Sequence, residues 1–76
     1  MAYRTLNSLP LGQSAEVVGI LSDGRERNRL RDLGLISGTE IKPLFKSMFG
    51  DPVAYGFRGI VVALRNEDAG KIIVST

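Results

Sequence analysis

The stretch RERNRLRDLGLISG, residues 25–38, decides how the fold is read. Four arginines, Arg25, Arg27, Arg29 and Arg31, fall within seven residues and draw attention to charge. The leucines and glycines around them are more informative. Asp23 is a ready N-cap, with Glu26 three residues on as the return partner of a capping box, so a short helix is expected over residues 24–33. Gly34 is placed to be the left-handed residue after its end, with Leu35 packing back onto Leu30. At roughly 100° per residue, Leu30 and Leu33 form one narrow apolar stripe. Arg27 and Arg31 flank that stripe on one side and Arg25 and Arg29 on the other, with stems able to cover its edges. Gly38 then supplies a turn into the next segment.

Outward from this helix the chain reads as short strands. Before it, AEVVGIL (15–21) is rich in β-branched residues, and Gly19 inside it signals a bulge or bend. Leu6 and Leu9 in the preceding segment suit one short helical turn that buries both, ended by Pro10 and Gly12. After the helix a strand runs from Glu40 to Lys46, with Ile41, Pro43 and Phe45 on one face and Lys42, Leu44 and Lys46 on the other. Pro43 cannot donate to a ladder, so this strand should be an edge or carry a bulge there. MFGDP is a loop. VAYGF and IVVAL are strands joined by Arg58-Gly59, a two-residue hairpin turn with glycine second. Tyr55 and Phe57 share the face expected to be core, opposite Ala54 and Gly56. NEDAGK is a turn or single helical turn with Asn66 as cap, and IIVS closes the chain. Five strands and one short helix, with turns every eight to twelve residues, predict a mainly β fold, a small antiparallel barrel.

Composition narrows the chemistry. The 76 residues make one domain, residues 1–76, with 43% apolar content and a net charge of +2. There is no histidine, cysteine or tryptophan. That removes the imidazole base, the thiolate and the usual soft metal ligands, so no enzyme activity, no metal site and no cofactor is expected. The apolar runs are far too short to span a bilayer, and MAYRTLNSLP has no apolar signal core, which points to the cytoplasm. In the arginine run Glu26 and Asp32 interrupt the positive charge and no aromatic is interleaved, so no nucleic acid is expected as a partner. A small nucleic-acid-binding barrel is the alternative that the charge balance leaves open.

Taken in order, these segments resemble the FeoA family, ferrous iron transport protein A. The matching residues are Arg29, Leu30, Leu33, Gly34, Leu35 and Gly38, then Gly50, Asp51, Pro52, Arg58, Gly59, Ala63, Leu64, Arg65 and Ala69. LNSLPLGQSAEV is similar to the family's lead-in. One departure is Ser47-Met48-Phe49, where many members carry a proline before the large apolar residue. The resemblance implies an SH3-like barrel and a cytosolic accessory or regulatory protein, not a catalyst. The implied partner is the cytosolic GTPase part of the FeoB membrane transporter, with membrane association only through that partner. Such barrels also occur fused to metal-dependent repressors, so a detached regulator-type domain is a further alternative. Partner contacts are expected from Arg25, Arg27, Arg29 and Arg31, from Met48 and Phe49 on the loop, and from Arg58. Leu30, Leu33, Gly34, Leu35, Gly38, Gly50, Asp51, Pro52, Gly59 and Ala69 are expected to be structural.

Overall fold

A computed structural model describes residues 2–76. The strands are β1 (Tyr3–Thr5), β2 (Ala15–Ile20), β3 (Glu40–Lys46), β4 (Val53–Phe57), β5 (Ile60–Leu64) and β6 (Ile72–Ser75). A 3-10 turn (Leu6–Ser8) follows β1, helix α1 (Gly24–Asp32) follows β2, and the one-turn helix α2 (Asn66–Ala69) precedes β6. All pairings are antiparallel, in the order β1-β6-β2-β3-β4-β5. The fold is mainly β, as expected, with six strands instead of about five. The additional one is β1, whose three residues, Tyr-Arg-Thr, are too short to show an alternation of their own.

The sheet curls around a core that includes Leu6, Val17, Leu30, Leu35, Ile41, Tyr55, Phe57, Leu64, Ile72 and Val74. Its bends lie where the sequence places them. The β2–β6 register shifts between Val17 and Gly19. The β3–β4 register shifts between Pro43 and Phe45, so Pro43 sits in a bulge of an interior strand. That bulge corrects one facing. Two residues of β3 advance against one of β4, which carries Phe45 off the face of Ile41 and leaves it 59% exposed. Tyr55 and Phe57 are buried as expected, and burial raises the Tyr55 phenol above its ordinary range, with Asp51 adding to the shift.

Leu6 and Leu9 are both buried by the 3-10 turn. At the other end of the chain the expected Asn66 cap is displaced by one residue. Arg65 occupies the cap position and Asn66 is already helical. The acceptor for the Asn66 N–H comes instead from Asp51 Oδ1 at 2.8 Å, in the loop before β4, which the β4–β5 pairing sets beside the start of α2. Asn7 Nδ2 donates to Asn66 Oδ1 at 3.1 Å, tying the 3-10 turn to the same point.

Candidate functional site

Helix α1 is built as its sequence indicates, with two changes. Asp23 caps it, its Oδ1 accepting from the Glu26 N–H at 3.1 Å. Glu26 does not complete a capping box. Its carboxylate pairs with Arg29, Nη2 to Oε1 at 2.7 Å and Nε to Oε2 at 3.3 Å. The helix ends in a Schellman motif: Leu35 N–H donates to Leu30 O and Gly34 N–H to Arg31 O, both at 2.9 Å. Leu30 and Leu35 are fully buried. Leu33 is not the buried partner of Leu30. Three residues on, it is turned roughly 60° off the buried line, and it is 38% exposed. Leu35, reached only after the glycine reverses the chain, takes the core position.

Two features fix this end further. Thr39, buried just before β3, donates through Oγ1 to Gly34 O and accepts from the Ile36 N–H, each at 3.1 Å. Its one signal in the sequence is a hydroxyl next to the Gly38 turn, which carries no periodicity or charge of its own. Arg58 lies in the β4–β5 turn at φ 52, followed by Gly59 at φ 80, which makes the turn type I′. Its stem lies over Gly34: a Cβ there would stand 2.7 Å from Arg58 Cδ. Gly34 is therefore required twice, by its φ of 103 and by the arginine above it. Arg58 Nε would stand 3.0 Å from the same Cβ, which brings the positive group to the C-terminal end of α1, where a cation is favoured.

The arginines thus divide. Arg29 is engaged by Glu26, whose hydrogen bond raises its pKa. Among the described residues no other ion pair forms, so Arg25, Arg27 and Arg31 present free charge to solvent. Arg27 and Arg31, one turn apart, line a hollow of about 130 Å³ with Gly19, Ile20, Leu35, Ile36 and Ser37.

Met48 and Phe49 lie elsewhere. Ser47–Gly50 is a tight turn closed by Gly50 N–H to Ser47 O at 2.9 Å, followed by a cis Asp51–Pro52 bond. Both apolar side chains are 91% exposed, so Phe49 does not plug the barrel. This turn starts β4, whereas Arg58 follows its end, so the five residues of the strand hold the two sites roughly 16 Å apart. The residues expected to contact a partner therefore form two surfaces. Arg58 joins α1 at one end of the β3–β4–β5 sheet, and Met48 and Phe49 stand at the other. Among the described residues no three His, Cys, Asp or Glu side chains converge in a way that would hold a metal ion, and no helix is long and apolar enough to cross a membrane.

The FeoA domain family model matches residues 4–76. A Porphyromonas gingivalis Fe(2+) transport protein A/Fe(2+) transporter FeoB fusion protein is 35% identical over 69 residues, covering 91% of this chain; the chain spans only 8% of that relative's length. Among solved structures, the FeoA protein of Chlorobium tepidum is 34% identical with a TM-score of 0.88, over 92% of this chain and 67% of that one. A zinc complex of Stenotrophomonas maltophilia FeoA, described as a prokaryotic SH3 domain protein, is 31% identical with a TM-score of 0.80, over 93% and 88% of the two chains. The curled sheet described above is thus an SH3-like fold.

Proposed function

Because the chain belongs to the FeoA family, we propose that it is a non-enzymatic accessory of ferrous iron uptake that docks on the cytosolic GTPase part of a FeoB-type transporter. The observation that carries this reading is the Porphyromonas gingivalis fusion, in which a domain 35% identical to this chain is covalently part of the transporter polypeptide. Fusion turns an encounter between two chains into an intramolecular one, which is useful when the two act side by side. The absence of histidine and cysteine from the sequence agrees with a role through protein contact and leaves the cation to the transporter.

Two surfaces are available for the docking, and they differ in physics. The side of α1 that carries Arg27 and Arg31 offers unpaired positive charge, which governs encounter rate and is screened by salt. Met48 and Phe49 offer apolar area that burial against a partner would stabilise largely independently of salt. Recovery of the transporter from solubilised membranes by the tagged chain tests the reading. Phe49→Ala is expected to lower recovery several-fold at all salt concentrations. Arg27→Glu with Arg31→Glu is expected to lower it at low salt and to matter little at high salt. Equal recovery by wild type and by the combined triple variant would reject both surfaces; no recovery by wild type under any condition would reject the docking itself.

A further inference from the structure

The curled sheet has two edges, and they are treated differently. β1 is three residues long and carries Arg4, two features that discourage another strand from joining. Among the described residues β5 has β4 as its only sheet neighbour; it runs Ile-Val-Val-Ala-Leu without a charge or a proline, and pairs with β4 in unbroken register. None of the usual protections of an edge is present there.

The free backbone groups can be assigned. In a two-residue type I′ hairpin the residues flanking the turn, Phe57 and Ile60, form a hydrogen-bonded pair, and such pairs alternate along the ladder. Ile60, Val62 and Leu64 therefore exchange bonds with β4, whereas the N–H and C=O groups of Val61 and Ala63 point away from it. Their side chains stand on the outer face, where both residues are exposed. Beside them, between β3 and the β4–β5 hairpin, Lys42, Leu44, Gly56, Arg58, Ile60 and Val61 line a groove of about 350 Å³. An outward edge with two donors and two acceptors, next to a groove walled in part by Leu44, Ile60 and Val61, fits an incoming strand.

We infer that the incoming strand is β5 of a second copy, added antiparallel about a two-fold axis through Val62. The sequence of the strand is complementary to its own reverse. In that register Val61 faces Ala63 of the second copy and Ala63 faces Val61, large against small, with two bonds exchanged at each pair. Ile60 faces Leu64, and Val62 meets itself at the axis. No charge lies within the paired segment. The flanking arginines do not oppose each other, because Arg58 falls opposite Asn66 and Arg65 opposite Gly59. The exposed Leu44, Phe45 and Val61 of each copy then make one apolar surface continuing across the joint sheet. The contact is small, so the dimer is a weak, concentration-dependent one.

Sedimentation of the untagged chain from low micromolar to near-millimolar concentration reads the mass, and amide exchange by NMR across the same range reads the edge. The expected result is a shift from monomer toward dimer in which the Val61 and Ala63 amides gain protection, while those of Ile60, Val62 and Leu64 are protected throughout. Val61→Lys, at a position 59% exposed, and Ala63→Pro, which removes an outward N–H, are each expected to abolish the dimer. Leu21→Lys, at an exposed leucine outside every strand, is expected to leave it unchanged. A wild-type chain that stays monomeric throughout, a dimer that survives Val61→Lys, or Val61 and Ala63 amides indifferent to concentration would overturn the inference. So would protection of those amides only on addition of another protein, which would make the edge a docking strand for that partner instead.

Discussion

The two turns at opposite ends of β4 show how one sheet can hold one end fast and leave the other free. At the Arg58–Gly59 end the turn lies against α1: its arginine covers Gly34, Gly34 permits the helix to stop, and Leu35 drops into the core immediately after. At the Ser47–Gly50 end the loop closes on itself through two backbone bonds, Gly50 N–H to Ser47 O and Ser47 N–H to Pro52 O, and leaves Met48 and Phe49 almost fully in water. Residues at the first end are constrained by neighbours on several sides, so a change there is felt by the fold. The side chains at the second touch little of their own protein, so a change there should be felt only by whatever else they touch. The largest test of that contrast pairs Leu35→Ala with Phe49→Ala. The first should cost about 2–5 kcal/mol in denaturant unfolding, the usual range for emptying a fully buried leucine site. The second should stay within roughly ±0.5 kcal/mol, as for an isolated surface change. A loss at Phe49 comparable to that at Leu35 would mean that the tip is part of the fold and would remove the contrast.

A finer test asks whether Arg58 and Gly34 act as one unit. Gly34→Ala places a Cβ both in a left-handed conformation, at a cost of about 1–2 kcal/mol, and against the Arg58 stem. Arg58→Gly removes the stem and relaxes the positive φ of the turn as well. If the two residues are coupled, the double variant is less destabilised than the sum of the singles, measured as the interaction energy of a double-mutant cycle. Strict additivity would show that the arginine simply swings aside and that the φ of Gly34 is the whole requirement.

How far this contrast could be read from the letters depends on the range of the interaction. The end of α1 was legible because Asp23, Gly34 and Leu35 act within a few residues of one another, and a Schellman motif needs nothing more distant than Leu30. The bulges at Gly19 and Pro43 were legible because a flexible residue or a missing N–H is itself the cause. Their consequence for Phe45 was not, since a period of two carried past a bulge puts every later side chain on the wrong face. Leu33 misled for a related reason: helical periodicity assigned it to the stripe, but the helix ends there, and the residue that fills the space lies beyond the turn. β1 offered three residues and no pattern. The separation of the candidate contact residues into two surfaces depends on which end of β4 each turn occupies, a fact of hairpin order that charge and exposure alone do not carry. The link from Asp51 to Asn66 spans fifteen positions and exists only because β4 and β5 bring the loop and the helix start side by side.

That link supplies the smallest and most specific test. Asp51 stands in the same loop as Met48 and Phe49, yet it belongs energetically to the fold, since its carboxylate accepts the Asn66 N–H at the start of α2. Removing such an acceptor from a helix N-terminus costs about 1 kcal/mol. Asp51→Ala should therefore lower the unfolding free energy by about that amount, more than Phe49→Ala two residues away. Asp51→Asn should restore much of the loss, because an amide oxygen can take the place of the carboxylate oxygen. If Asp51→Ala also weakens recovery of the transporter as strongly as Phe49→Ala does, the tip needs the anchored loop beneath it to present its side chains. If stability falls and recovery does not, the boundary between the held and the free parts of the molecule runs through this one loop, between Phe49 and Asp51.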